Sequence, residues 1–276
     1  MYDEDELNIK SCQPYIVLET GEFYQHVLSC MGISHFYSFK GNSEKDSIIP
    51  LIADGCSNII FEYNNGKVVN STVIGNTLEM KTFKIHKDSE YFGVRFLPGE
   101  NPCFKNQVVK EMVGKTADLK DFENMKLISD KMNLEKTFSD RMNTFLTEYQ
   151  KFNNDEVSSQ HQLYRQFIRL IVSKKGMLKI SQLVVLTGYS ARYINQIFED
   201  ISGMSAKQFC NIVKLQYLLN DIDYGNVESL SKLATDYNFY DMAHFIHEFK
   251  NYTGKTPGEY MANIKDHSFS ENVINV

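Results

Sequence analysis

The rhythm of apolar and polar positions changes twice along the chain. Over the first hundred residues, short apolar runs are broken by turn residues: Ile48-Ile49-Pro50-Leu51, then Ala53-Asp54-Gly55, then Asn58-Ile59-Ile60-Phe61-Glu62-Tyr63. Runs of β-branched and aromatic residues punctuated by Gly, Asn and Asp predict strands. Asn64-Asn65-Gly66 predicts a hairpin turn in which Gly66 supplies the positive φ, and Lys67-Val68-Val69 resumes the extended pattern. Further strands are expected at Met80 to His86 and at Tyr91 to Phe96, the latter ended by Leu97-Pro98-Gly99. Several short strands with close turns predict a small barrel or sandwich.

From about Asn106 to Asn153 glycine and proline nearly vanish, Gly114 alone remaining, and the apolar period becomes helical. Leu119, Phe122, Met125, Leu127, Ile128 and Met132 are followed by Phe138, Met142, Phe145 and Tyr149. Such a stripe either packs on its own domain or meets a second copy of the chain. The polar stretch Asn153 to Ser159 then reads as an interdomain linker.

The second half contains a repeat with an offset of about 50 residues. Leu183, Val184, Gly188, Ile194, Phe198, Gly203 and Phe209 correspond to Leu233, Ala234, Asn238, Phe245, Phe249, Gly254 and Tyr260, with one extra residue in the second turn. Each copy predicts a helix, a sharp turn and a second helix. Val184 and Ala234 are compact where helices cross, and Gly188 and Asn238 tolerate the left-handed backbone of a tight turn. Gly203 and Gly254 fit helix stops, while Ser205 with Gln208 and Thr256 with Glu259 fit capping boxes, Pro257 taking the first helical position. Between the copies, Ala206 to Asn220 predicts one connecting helix with a broad apolar face.

Charge sharpens the division. The net charge is −6, yet His161 to Lys265 carries 12 Lys/Arg against 9 Asp/Glu, whereas Met1 to Gln160 carries 17 against 24. Only the second half has the sign for phosphate contact. No apolar stretch approaches the roughly 18 residues of a membrane span. The acidic start, Met1-Tyr2-Asp3-Glu4-Asp5-Glu6, lacks a secretory pattern, so a cytoplasmic location without membrane association is expected. Five scattered cysteines, Cys12, Cys30, Cys56, Cys103 and Cys210, suit buried free thiols rather than disulfides or zinc knuckles.

On Thr187-Gly188-Tyr189-Ser190, Ile194 to Phe198, Gly203 to Phe209 and Phe249 to Tyr260, the segment His161 to Lys265 resembles the DNA-binding domain of the AraC/XylS family of bacterial transcription regulators. The resemblance implies two recognition helices entering successive major grooves of double-stranded DNA, roughly 34 Å apart. Ala191, Arg192, Asn195 and Gln196 then fall on the exposed side of the first, where Arg suits a guanine edge and Asn or Gln an adenine edge. The second places Met242, Ala243, His244 and His247 there, with Ile246 beside them. Tyr240, Ile246 and His247 depart from the family's habit of serine and arginine, which shifts the weight toward phosphate or thymine-methyl contacts. His244 and His247 lie three apart, but with no third ligand evident no metal is expected. Lys207, Lys250 and Lys255 are the foremost phosphate candidates, followed by Lys179 and Lys214.

The stretches Pro50 to Phe61 and Gly93 to Gly99 are similar to a cupin-like β-domain found in one branch of that family. The expected architecture is therefore α+β and multidomain. A β-barrel, cupin-like sensing domain spans 1–105, a helical dimerisation or packing layer 106–153, a linker 154–160, the all-α double helix-turn-helix domain 161–265 and a tail 266–276. Family habit implies a homodimer, a small-molecule effector and, for an activator, RNA polymerase as partners. His26, His35 and His86 stand singly, without the ligand cluster of a metal-dependent cupin, and no phosphate loop or nucleophile and base pair is evident. Neither an enzyme nor a cofactor is expected. Arg95 interrupts an apolar strand and shares its alternation with Tyr91, so its guanidinium, with Tyr37 and Tyr63 as walls, is a candidate for an anionic effector; the alternative is an ion pair to Asp54 or Glu62. A protein that keeps this fold but acts through protein partners is the second functional reading.

Overall fold

A computed structural model describes residues 13–20, 22–101, 103, 108–134, 136–151, 158–225, 227–266 and 272–276. The linker expected at 154–160 lies outside them as far as residue 157, as does Cys12. The N-terminal part begins with α1 (Pro14–Thr20) and continues with β1 (Phe23–Cys30), β2 (Ile33–Lys40), β3 (Ser47–Leu51), β4 (Ser57–Asn64), β5 (Lys67–Ile74), β6 (Lys81–Ile85) and β7 (Glu90–Phe96). Then come α2 (Val108–Met112), β8 (Thr116–Asp118), α3 (Lys126–Met132) and α4 (Phe138–Gln150). The C-terminal part is helical: α5 (Ser159–Ser173), α6 (Ile180–Thr187), α7 (Ala191–Ser202), α8 (Ala206–Asp223), α9 (Leu230–Asp236), α10 (Met242–Thr253) and α11 (Pro257–Asp266), followed by β9 (Val273–Asn275).

The main sheet has the order β8-β5-β4-β7-β2-β1-β9, and β3 pairs with β6 in a separate ribbon. The predicted hairpin joins β4 to β5, with Asn65 at φ 50° and Gly66 at φ 75°, the two positive values that a type I′ turn needs. Strand β7 divides its side chains as the alternation demands. Phe92, Val94 and Phe96 join Phe36, Phe61 and Tyr63 in a core roofed by α3 and α4, where Ile128, Met132, Phe145 and Tyr149 are buried. The Phe138 to Tyr149 stripe is thus occupied by its own sheet.

The opposite face of the sheet is also covered. Tyr37, Phe39, Ile60 and Tyr91 pack with Ile49, Leu51 and Ile85 of the ribbon and with Tyr15, Ile16 and Val17 of α1. The same cluster continues without a break into Leu215, Leu218, Leu219, Phe245, Phe249 and Tyr260 of the helical part. Each such large buried side chain contributes about 1.5–3 kcal/mol, so the second helix-turn-helix unit shares a core with the β-domain. The first unit has its own, built from Tyr164, Phe167, Leu183, Ile194, Phe198 and Phe209, to which the β-domain adds Leu97, with Leu78 partly buried against it.

Candidate nucleic-acid interface

Helices α6 and α7 form the first unit. Helix α6 is closed by Gly188 at φ 75°, and Ser190 starts α7 by accepting a hydrogen bond from the Tyr193 N–H. Helices α9 and α10 form the second, where Asn238 takes the left-handed turn position at φ 54° and the Asp241 carboxylate accepts from the His244 N–H at 2.7 Å. The single helix α8 joins them, started by a reciprocal Ser205 and Gln208 capping box. Thr256 and Glu259 cap α11 in the same way. These assignments place the repeated residues where the sequence pattern requires them.

Gly203 and Gly254 serve two purposes. Both adopt left-handed φ, 73° and 77°, to end α7 and α10, and both admit the β-domain at close quarters. A Cβ on Gly203 would lie 2.5 Å from Val113 Cγ2, and one on Gly254 2.5 Å from Met80 Sδ. Beside them, Asn76 Nδ2 donates to the Ser202 carbonyl at 2.7 Å and the Tyr15 hydroxyl to the Thr253 carbonyl at 3.0 Å. The β-domain therefore holds the C-terminal end of each recognition helix. Gly203→Ala is expected to lower stability by at least about 1–2 kcal/mol, the cost of a left-handed non-glycine residue alone, with a matching fall in the urea midpoint.

The N-terminal halves of the two helices point away from these contacts. In α7, Ala191, Arg192 and Gln196 are exposed. Asn195 is half-buried and already engaged, Nδ2 donating to the Ala191 carbonyl at 3.0 Å and Oδ1 accepting from the Ala206 N–H at 3.1 Å. It positions α8 against α7, a role that counting exposed positions could not reveal. In α10, Ala243, His244 and His247 are exposed, whereas Met242 is half-buried against the shared core. His244 Nε2 lies 3.7 Å from Glu248 Oε1, and His247 Nδ1 3.4 Å from Asn251 Nδ2.

Among the lysines, Lys207 and Lys250 are exposed, but Lys255 is half-buried with its ammonium 5.4 Å from the Tyr15 ring centre. Lys255 thus belongs to the contact with α1. Exposed aromatics precede both recognition helices: Tyr189, whose ring centre lies 5.4 Å from that of Tyr193 inside α7, and Tyr240, 92% exposed. Their signal in the sequence is an aromatic beside the N-cap of each recognition helix.

The residues proposed for an effector are packed inside the protein. Arg95 is buried, with Nη1 donating to Asp54 Oδ2 at 2.6 Å and Nε to Asn58 Oδ1 at 3.1 Å, which is the ion-pair alternative. The Tyr37 hydroxyl donates to the same Asn58 oxygen at 3.2 Å and the Tyr63 hydroxyl to the Met132 carbonyl at 3.2 Å. Burial, reinforced by Arg95, pushes the neighbouring His35 down to about 3, so its ring is neutral at physiological pH. Cys56, Cys103 and Cys210 are free and buried, and burial raises the Cys103 and Cys210 thiols to about 12, which leaves them unreactive.

Comparison with known proteins agrees with this anatomy in two segments. Residues 183–263 match the family described as a helix-turn-helix domain, and residues 31–118 match a domain of unknown function, DUF6597. No curated protein matches the chain. Similar solved structures include ToxT from Vibrio cholerae, at 12% identity and a TM-score of 0.42 over 88% of this chain and 98% of that one. ToxT from Vibrio cholerae O395 aligns at 11% identity and 0.40 over 88% and 96%. Unsaturated fatty acid-bound ToxT aligns at 13% identity and 0.37 over 87% and 92%. The helical C-terminal part of this chain thus contains a helix-turn-helix domain, matched over residues 183–263, and a β-rich domain precedes it.

Proposed function

We propose that this chain is a sequence-specific transcription regulator that reads two successive major grooves of double-stranded DNA with α7 and α10. The observation that carries the reading is the division of each recognition helix: its C-terminal end is buried against the β-domain while its N-terminal half is exposed. Arg192 and Gln196 are the base readers of the first helix, since both are exposed and their chemistry suits guanine and adenine edges. In the second helix, Ala243, His244 and His247 face the groove, with Lys250 on the backbone. The β-domain acts as the regulatory partner of the pair, because anything that shifts it moves both helix ends at once.

A second reading, action through a protein partner, draws on Val185 and Leu186 of α6, which are 83% and 59% exposed. Selection of bound sequences from a random DNA pool, at fixed salt, separates the two. The wild type is expected to enrich a motif spanning two neighbouring major grooves. Arg192→Ala should relax one base position, at a cost of about 1–3 kcal/mol on the preferred site, and His247→Ala should alter a position one helical turn away. Enrichment of no motif would favour the protein-partner reading.

A further inference from the structure

A groove of about 720 Å³ runs between the two helix-turn-helix units. Lys179 and Gln182 at the start of α6 form one wall, Lys207, Asn211 and Lys214 along α8 form the floor, and Asn238 in the second turn closes the other side. Three of the twelve basic residues in His161 to Lys265 therefore converge here, and no Asp or Glu lines the groove. Two of the three, Lys179 and Lys207, are exposed at the place where the two units meet.

The groove also faces a definite way. On α8, Lys207, Asn211 and Lys214 succeed one another at spacings of four and three and so share one face. Ile212 and Gln216 occupy another: Gln216 Nε2 donates to the Ala53 carbonyl at 2.9 Å, and Ile212 meets the loop at Gly55. The β-domain covers one side of α8, and the lysines line the other.

We infer that this groove grips the sugar-phosphate backbone that crosses between the two major grooves, a step that rests on the DNA-binding reading above. Two recognition helices set one helical turn apart on a duplex must straddle a minor groove, and its two phosphate strands pass over whatever lies between them. Lys179 and Lys207 are exposed and form no ion pair among the described residues, so they supply the phosphate contacts. Lys214 sits deeper, its ammonium 3.4 Å from Glu248 Oε2 and 3.7 Å from the Phe239 ring centre. Its charge is largely offset by Glu248, so it shapes the floor and is not counted among the phosphate contacts. Such contacts hold the duplex in register and carry no sequence information.

The test uses the full chain with Lys179→Ala and Lys207→Ala combined, and a control, Lys84→Ala with Lys87→Ala, that removes the same charge from the β-domain. Affinity is measured against salt on the selected site and on an unrelated duplex. Each phosphate that is no longer neutralised by a lysine lowers the slope of log affinity against log salt by about 0.9. The groove variant is expected to lose about 2 in slope and to weaken on both duplexes alike, with the selected motif unchanged and the control close to wild type. A groove variant with the wild-type slope, or a control that falls equally, overturns the inference while leaving DNA binding standing. A wild type with no salt-dependent affinity for any duplex overturns both.

Discussion

Arg95→Ala is expected to destabilise the protein by about 3–5 kcal/mol, the range for removing one partner of a buried ion pair. The Arg95 and Asp54 side chains are 4% and 1% exposed, and the Asp54 carboxylate is surrounded by donors. Oδ2 accepts from Arg95 and from Gln13 Nε2, and Oδ1 from the Cys56 N–H and the Thr77 hydroxyl. Without the guanidinium, the neutral donors remain but the charge loses its counter-ion in a site that water does not reach. Against a typical total stability of about 5–15 kcal/mol, that loss should appear in urea as a large fall in midpoint.

The damage should extend beyond the β-domain, because the Asp54 loop is the seat of α8. Gln216 Nε2 bonds to the Ala53 carbonyl, and Gly55 lies against Met204 and Ile212. Asp54→Asn provides the control. It removes the charge that Arg95 neutralises, so Arg95→Ala in that background should cost less than in the wild type, with a coupling toward the upper end of the range of about 0.5–3 kcal/mol. Strict additivity of the two substitutions would mean that the pair contributes nothing specific.

Arg95 takes one of the two roles that the sequence leaves open, the ion pair to Asp54. Alternation along β7 correctly separates Tyr91 and Arg95 from Phe92, Val94 and Phe96, yet alternation says nothing of what lies across a face. There it is Asp54, 41 positions away. The helix-turn-helix units are legible because their determinants are local: left-handed residues at fixed offsets, caps three residues apart, apolar pairs four apart. Strands β1 and β2 and helix α1 leave no such mark. Strand β2, Ile33-Ser34-His35-Phe36-Tyr37-Ser38-Phe39-Lys40, is buried on both faces except at its last residue, so it lacks a polar side to alternate with. Strand β9 pairs in parallel with β1 from the far end of the chain, an arrangement with no local signal. Counting positions offers Asn195 and Lys255 to DNA, whereas tertiary partners, Ala206 and Tyr15, claim both.

Docking of the helical part onto the β-domain is expected to weaken in acid through Glu100. This carboxylate follows β7 and receives a bidentate pair from α5: Arg165 Nε to Oε1 and Nη2 to Oε2, both at 2.8 Å. His161 Nε2, one turn earlier on the same helix, adds a contact at 3.0 Å to Oε1. Burial alone would raise the Glu100 carboxyl, but the hydrogen bonds from His161 and Arg165 outweigh it and hold it at about 2, against an ordinary value of 4.5. Because the folded state binds this proton less readily than the unfolded state, the contribution is complete above about pH 4.5 and is lost as pH falls toward 2. At about 1.36 kcal/mol for each pH unit of that difference, the full span is about 3 kcal/mol. His35 gives a separate loss that begins higher. Its folded value of about 3 lies below the ordinary 6.5, so the unfolded chain takes up that proton first as pH falls below 6.5. Glu100→Gln should therefore flatten the decline of urea stability below pH 4.5 while leaving the slope between 6.5 and 4.5 in place. At neutral pH the same substitution should cost about 1.5–3 kcal/mol, the value of hydrogen bonds to a charged group. An unchanged decline below pH 4.5 in Glu100→Gln would show that this clamp does not govern the acid stability of the interface.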